Sequence, residues 1–393
     1  LWAVTLPLTA VAQGGLGTAA TWSTLLDWLL ISVPPQLALA SLPDRLVLPA
    51  RRRDLMGVEL TRRRFLELAG AMLGAVSLGY LGTQVLRSGA PPVLFPEGPE
   101  VGRLPAAVTP ARDFYVVSKD LFGPPRVDGA TWALSVEGTH RLRLSRADLA
   151  AFRAVEQVQT LECISNPVGG NLISNGRWRG VPLRALLDRT GVPAGVTEVV
   201  FSCADGYTES LPLAQCLQPT TLVATHLDGG ELPAQHGFPA RILVPGRYGM
   251  KNPKWLDRIS FQTQPYFGYW EQQGWDPAAL PRTFSRFDFP GSSSRLPSGR
   301  RFLLSGVAWA GERGVALVEV TVDGGRSWRR ARLEPPLSPY AWTIWSLAWA
   351  PAPGLYSLEV RAADDRGRLQ SGTSVGSFPS GAAGRQQLQV VIG

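Results

Sequence analysis

Lysine, histidine and cysteine are nearly missing from this chain of 393 residues. Lysine occurs at Lys119, Lys251 and Lys254, so almost all of the 39 basic residues are arginine. Histidine is confined to His140, His226 and His236, and cysteine to Cys163, Cys203 and Cys216. Three cysteines exclude a disulfide-stapled scaffold and a four-cysteine zinc or iron–sulfur site. Charged residues are few as well, 18% against 45% hydrophobic, which excludes a disordered chain or a coiled coil. The length suffices for two or three folded units with a real core. Any chemistry must therefore draw on few Lys, His and Cys.

The formal charge is +8 and mean hydropathy is slightly positive. Apolar runs at residues 1–12 and 25–42 predict membrane-associated helices, the first too short to span and the second broken by Asp27 and Pro34-Pro35. The chain opens on Leu1 rather than Met, so its start is expected to lie inside a longer gene product. Residues 65–86 are apolar apart from Glu67 and small polar residues, and are long enough to cross a bilayer. Arg51-Arg52-Arg53 and Arg62-Arg63-Arg64 precede them. By the positive-inside rule they keep that flank cytoplasmic and place the residues beyond 86 on the periplasmic side. Thr61-Arg62-Arg63-Arg64-Phe65-Leu66 also resembles a twin-arginine export signal, which implies export of a pre-folded domain. Much of the basic charge thus serves membrane topology. No basic-aromatic stretch speaks for nucleic acid as a partner.

Residues 1–89 are therefore expected to be membrane-associated, and the Pro- and Gly-rich residues 90–112 to be a linker. Between residues 113 and 290, strand-like segments (131–136, 197–202, 242–244) alternate with short helical ones (145–154, 183–189), which predicts an α+β fold. Ser145 is a predicted N-cap. Gly291-Ser292-Ser293-Ser294 opens a second boundary. From 296 to 393 the pattern turns all-β: Ala316, Val318, Val320 and Val322 alternate with polar or outward residues, as do Tyr356, Leu358, Val360 and Ala362. This segment predicts an immunoglobulin-like sandwich, with Trp309, Trp328, Trp342, Trp345 and Trp349 in its core.

Cys163 follows a strand-like run (156–161) and precedes Ser165-Asn166 and Gly169-Gly170. From the residues alone it is a thiolate metal ligand, a nucleophile or a small buried apolar side chain. His236, Arg241, Arg247, Lys251 and Lys254 fall within one short Gly-rich block. In an arginine-rich chain, two lysines there point to a compact ammonium aimed at a phosphate or other anion. The competing reading is a solvated loop.

Taken together, these blocks carry a resemblance. Cys163 with Ser165-Asn166, Ile173-Ser174-Asn175-Gly176-Arg177-Trp178-Arg179-Gly180-Val181-Pro182-Leu183, Gly206-Tyr207-Thr208-Glu209-Ser210-Leu211-Pro212 and the His236 to Leu256 block occur in the order seen in sulfite-oxidase-type molybdenum enzymes. The last segment, with Gly306-Val307-Ala308-Trp309-Ala310-Gly311 and Val320-Thr321-Val322-Asp323-Gly324-Gly325, resembles their dimerisation domain. The resemblance implies one molybdopterin molybdenum cofactor per chain, with Cys163 as the thiolate ligand to a soft metal centre. By block matching it implies pterin and phosphate contacts from His236, Arg241 and Lys254, with Arg247 and Lys251 beside them. Asn166, Arg177 and Tyr207 are implied to line the pocket. The implied reaction is oxygen-atom transfer between water and a small-molecule substrate. No Cys-x-x-Cys-His haem signature is present, so the electrons are expected to pass to a separate partner, a cytochrome or quinone-linked protein. A homodimer is implied as well.

The departures bear on substrate. Where sulfite oxidases carry Arg-Asn-His after an aromatic pair, this chain has Phe114-Tyr115-Val116-Val117-Ser118-Lys119, and Pro167-Val168 stands where their cysteine motif continues into two arginines. Trp275 stands where the family has a pocket tyrosine, and Arg313 is the expected arginine from the last domain. Lys119 restores one cation to a pocket expected to be more apolar and aromatic, so sulfite stays open as a substrate but is not the favoured one. A different class of function, a cofactor-free membrane-tethered binding module acting through its immunoglobulin-like end, leaves the His236–Lys254 clustering unexplained.

Overall fold

The computed structural model describes residues 100–119 and 123–393. The expected class is corrected. The α+β class gives way to a mostly β-sheet chain: among the described residues stand twenty strands and three α-helices, Arg146–Ala150, Leu183–Thr190 and Leu213–Cys216. No helix among the described residues is long and apolar enough to cross a membrane. The apolar runs and arginine motif of residues 1–89 lie outside the described residues.

The helical signals are real but short, and each fills a single crossover between strands. Ser145 caps Arg146–Ala150 as expected, its hydroxyl accepting from Asp148 N while the Asp148 carboxylate accepts from Ser145 N. Val155 then opens a strand, so the helix ends after five residues. Leu183–Thr190 buries Leu183, Leu186, Leu187 and Thr190, the spacing of one helix face. It stops at Gly191, whose φ of 72° suits glycine.

Two five-stranded sheets form the first half. One runs Arg241–Leu243, Leu222–Leu227, Ile173–Pro182, Val155–Glu162, with Gly230–Glu231 at its edge, and is antiparallel throughout. The other runs Arg141–Ser145, Ala133–Glu137, Leu256–Gln262, Glu198–Cys203, Thr208–Pro212, with one parallel pair between Leu256–Gln262 and Ala133–Glu137. Leu134, Val136, Leu186, Val199, Phe201 and Ile242 lie in a shared core with no exposed area. Each large apolar side chain buried there contributes about 1.5–3 kcal/mol.

The second half is built from two further sheets around one core. Phe284–Phe289, Arg301–Trp309, Thr343–Trp349 and Arg332–Leu333 form one sheet; Arg295–Leu296, Gln387–Ile392, Gly354–Ala363, Leu317–Thr321 and Arg329–Arg330 form the other. Val318, Val320, Leu358, Val360 and Ala362 face its core, as their alternation predicts. Trp309, Trp342, Trp345 and Trp349 are buried. Trp328 instead stacks against the Arg361 guanidinium, 3.9 Å from the ring centre.

Two sequence boundaries fall differently. Phe284–Phe289, before the Gly-Ser segment, pairs with Arg301–Trp309, so that segment is a connection within the sandwich. Glu100–Val101 of the expected linker pairs parallel with Arg301 and Phe302. The halves are joined by Trp342 N donating to Thr160 Oγ1 (2.9 Å) and by an apolar cluster including Ile173, Phe284, Val307 and Trp309.

Candidate active site

Cys163 sits immediately past the strand Val155–Glu162, in a tight turn closed by Asn166 N donating to Cys163 O (2.9 Å). Asn166 is the clasp of this turn. It is 3% exposed, its Nδ2 donates to Glu162 Oε1 (2.8 Å), and its Oδ1 accepts from Leu172 N (3.0 Å). The half-buried thiol is left facing a cavity, 3.0 Å from the Ser165 hydroxyl. Burial pushes the Cys163 thiol up, the Ser165 hydrogen bonds oppose this, the Glu162 carboxyl adds to the rise and Lys254 counters it. Cation binding is what would make such a thiol a thiolate. Behind it, burial pushes Glu162 up to about 8.

The same cavity is lined by loops that leave the sheet ends: residues 114–119, the Asp205 to Tyr207 turn, His236, Arg241, the Gly249–Trp255 stretch, Trp270 and Trp275. It therefore brings together Cys163, Lys119, Tyr207, Trp275, His236, Arg241 and Lys254 from distant parts of the chain. Arg241 is 5% exposed and lies over the Trp178 ring (5.2 Å). Its Nη1 donates to His236 O (3.1 Å) and its Nη2 to Asn252 O (2.8 Å), while Nε has no hydrogen-bond partner among the described residues. Burial brings its pKa down to about 10, still cationic at neutral pH.

His236 is held by burial and by Arg241 at about 4, so its ring is neutral at pH 7. Its Nε2 lies 3.1 Å from Ala111 O, an acceptor, which places the ring proton on Nε2 and leaves Nδ1 an acceptor. Lys254 Nζ donates to Val117 O (3.1 Å) and Gln235 O (3.0 Å) and lies over the Trp255 ring. Trp255 holds a left-handed backbone, φ 55°, at a cost of roughly 1–2 kcal/mol. Lys119 is nearly buried, with Asp205 at 4.0 Å and the Tyr269 ring beneath it.

Five expected site residues lie off this cavity. Asn166 acts through the turn. Arg177 points outward from Ile173–Pro182, exposed beside the buried Trp178. Arg247 is spent on Gln215 Oε1 (2.9 Å) and Ala278 O (2.7 Å). Lys251 is buried between Glu209 and Glu271. Arg313 binds Asp364 Oδ2 (2.9 Å) and Pro281 O (3.0 Å) within the second half. Conversely, Tyr115, Ser165, Asp205, Met250 and Asn252 line the cavity without having been expected there. Tyr115 had a usable signal, its pairing with Phe114; Asp205 reads in the sequence as a turn residue only.

The donor set fits an anionic organic cofactor carrying a soft metal. Arg241 Nε is a buried donor without a protein partner on a cavity wall shared with Lys254 and a thiol. At Gly249 an added Cβ would meet Tyr115 Oη at 2.7 Å, so the backbone hugs that wall closely. Among the described residues no three His, Cys, Asp or Glu side chains gather to cage a metal. A metal on Cys163 would take its other ligands from elsewhere.

Comparison with known proteins agrees with this geometry. The oxidoreductase molybdopterin binding domain family matches residues 122–270, and the Mo-co oxidoreductase dimerisation domain family matches residues 290–377. The chain belongs to the sulfite-oxidase-type molybdopterin oxidoreductases. Rat mitochondrial sulfite oxidase is 32% identical over 300 residues, covering 63% of this chain and 55% of that enzyme. A putative protein-methionine-sulfoxide reductase subunit, YedZ1, of Azospira oryzae is 36% identical over 153 residues, 38% of this chain and 56% of that protein. The chain thus spans about half the length of the curated relatives it matches. The crystal structure of the sulfane dehydrogenase SoxCD from Paracoccus pantotrophus aligns over 90% of this chain and 95% of that one, with a TM-score of 0.65 at 19% identity. That last likeness is one of fold. The cofactor implied by the family is the molybdenum cofactor on its pterin.

Proposed function

We propose that this chain catalyses molybdenum-dependent oxygen-atom transfer, with a weakly charged S-oxide or N-oxide favoured over sulfite. The observation that carries the reading is the mixed lining of one cavity: Cys163, Arg241 and Lys254 share it with Met250, Trp270 and Trp275, which pack in one apolar cluster. When bound, the cofactor supplies two-electron oxygen-atom transfer. Cys163 holds the metal as a thiolate, and Asn166 fixes the turn that aims it. Arg241, with its unpartnered Nε, and Lys254 would hold the anionic part of the cofactor, and His236 would offer Nδ1 as an acceptor toward it. Trp275, packed edge-on against Phe378 at 5.2 Å, adds a fixed aromatic ring to the cavity lining.

The charge count supports the choice of substrate. A small dianion calls for several charge-assisted donors. Lys119 already has Asp205 beside it, and Arg313 is bound to Asp364. The aromatic, thioether-bearing wall suits an apolar sulfur compound. The Azospira oryzae relative, named for methionine sulfoxide reduction, points the same way.

Metal analysis of the natively expressed protein should return about one molybdenum per chain, and Cys163→Ser should lose viologen-coupled turnover while keeping the fold. A protein without molybdenum or pterin would overturn the reading. Sulfite oxidation outpacing S-oxide and N-oxide reduction would overturn the substrate assignment. For reduction of an S-oxide or N-oxide the two electrons come, one at a time, from a separate one-electron carrier. The dimerisation domain supports a homodimer, testable by sedimentation. The Thr61-Arg62-Arg63 pattern supports an extracytoplasmic catalytic domain. Replacing Arg62 and Arg63 by Lys should leave the protein in the cytoplasm.

A further inference from the structure

Behind the cavity wall lies a buried cluster that the oxygen-transfer reading does not use. Glu209, Lys251 and Glu271 have side chains 0%, 6% and 1% exposed. Lys251 Nζ donates to Glu209 Oε1 (2.9 Å), to Ser210 O (3.2 Å) and to Glu271 Oε1. Two carboxylates against one ammonium leave a negative charge in excess, and an uncompensated buried charge is relieved by taking up a proton.

The hydrogen bonds decide where that proton goes. Glu209 Oε1 accepts from Lys251 and from Ser210 N (2.8 Å), Glu271 Oε1 from Lys251, and Glu271 Oε2 from Gly268 N (2.6 Å). All of these partners are N–H donors that cannot accept. Glu209 Oε2 instead faces the Tyr207 hydroxyl at 3.1 Å, a group that can do both. The same hydroxyl lies 2.9 Å from Met250 O, and both Tyr207 and Met250 line the cavity. With Glu209 protonated, Oε2–H donates to Tyr207 and the Tyr207 hydroxyl donates to Met250 O. With Glu209 ionised, the Tyr207 hydroxyl turns to Oε2.

We propose that Glu209 is a proton store for the oxygen-transfer reaction, exchanging with the cavity through the Tyr207 hydroxyl. The proposal rests on the oxygen-transfer reading. Forming water from a transferred oxygen consumes two protons and two electrons, and the reverse releases them. The electrons come from or go to the one-electron carrier. Glu209 supplies or receives one proton per turnover, its Oε2–H passing to the Tyr207 oxygen as the Tyr207 hydroxyl proton moves to a substrate oxygen or water in the cavity, and the second proton is exchanged with solvent. The groups facing Glu209 are Lys251, Glu271 and Tyr207, with Cys203 on the neighbouring strand and the Asp205–Lys119 pair in the adjoining turn. Burial raises the Glu209 carboxyl, Lys251 opposes the rise and Glu271 adds to it, leaving it at about 7. That is the range in which a store empties and fills at neutral pH.

The test is infrared spectroscopy of the molybdenum-loaded protein between pH 5 and 9, beside steady-state kinetics with reduced viologen and an S-oxide. The expected result is a protonated-carboxyl band that titrates near neutral pH, is lost in Glu209→Gln and is separate from the band of buried Glu162, which remains in that variant. Turnover in Glu209→Gln should fall by about tenfold or more, with the neutral limb of the pH profile lost and molybdenum content unchanged. Tyr207→Phe should keep the band and lose the rate. Absence of the band in the loaded wild-type protein overturns the proposal. So does a Glu209→Gln pH profile that matches wild type. Metal content, measured on each sample, separates these outcomes from failure of the oxygen-transfer reading, which would show as a protein without molybdenum.

Discussion

Replacing Lys251 by Met removes the one ammonium between two buried carboxyls while keeping a side chain of similar length. In the wild-type protein Lys251 sits within hydrogen-bond reach of both Glu209 and Glu271. Without it, neither carboxyl has a cation, and each side chain is at most 1% exposed. One more carboxyl must then be held neutral in the folded state. From an ordinary glutamate value of about 4.3, this costs about 1.4 kcal/mol per pH unit, hence about 4 kcal/mol at pH 7 and about 1 kcal/mol at pH 5. Breaking a buried ion pair costs a similar 3–5 kcal/mol. The sign follows from linkage: a carboxyl raised in the folded state is no burden below its unfolded value and a growing one above it. Urea unfolding of wild type and Lys251→Met at pH 5 and pH 7 measures both gaps. A gap independent of pH, or one below about 1 kcal/mol at pH 7, would refute the reasoning.

His236→Gln should flatten the acid limb of stability. The wild-type ring is held at about 4 against roughly 6.5 unfolded, so the folded protein should lose about 3 kcal/mol as pH falls from 6.5 to 4. The glutamine variant, followed by urea unfolding over that window, should lack this share of the loss. Asn166→Ala leaves Leu172 N and Glu162 Oε1 without their partner, so it should cost about 1–3 kcal/mol and lower molybdenum retention; retention equal to wild type would show that the turn does not aim Cys163. Gly249→Ala pushes a Cβ to 2.7 Å from Tyr115 Oη and should weaken cofactor binding with little change in the melting temperature of the cofactor-free protein. Trp345→Ala, in the fully buried core of the sandwich, should cost about 3–5 kcal/mol while leaving cofactor affinity unchanged.

How much of the fold was legible in the sequence depends on the range of the interactions involved. The alternation of Val318 with Val320 and of Leu358 with Val360 is a period-2 signal fixed by neighbours in the chain, and those strands stand where expected. The overall class was missed because a short helix and a short crossover look alike locally: Arg146–Ala150 has a proper cap yet lasts five residues before strand Val155–Glu162 takes over. The cavity was partly legible, since Cys163, His236, Arg241 and Lys254 lie in recognisable blocks. What no local pattern could separate was Lys251 from Lys254. They are three residues apart in a loop without helical period, so spacing says nothing about which way each points. Lys254 turns to the cavity and to carbonyls of residues 117 and 235, while Lys251 turns to carboxylates from residues 209 and 271. Those partners are 42 and 20 residues away for Lys251 and 137 and 19 away for Lys254. The rarity of lysine therefore marked two sites rather than one. At Lys254 two N–H groups meet backbone carbonyls, which orient the ammonium on the cavity wall where an anion would meet it. At Lys251 the charge is absorbed by carboxylates, and the excess negative charge there selects a proton instead.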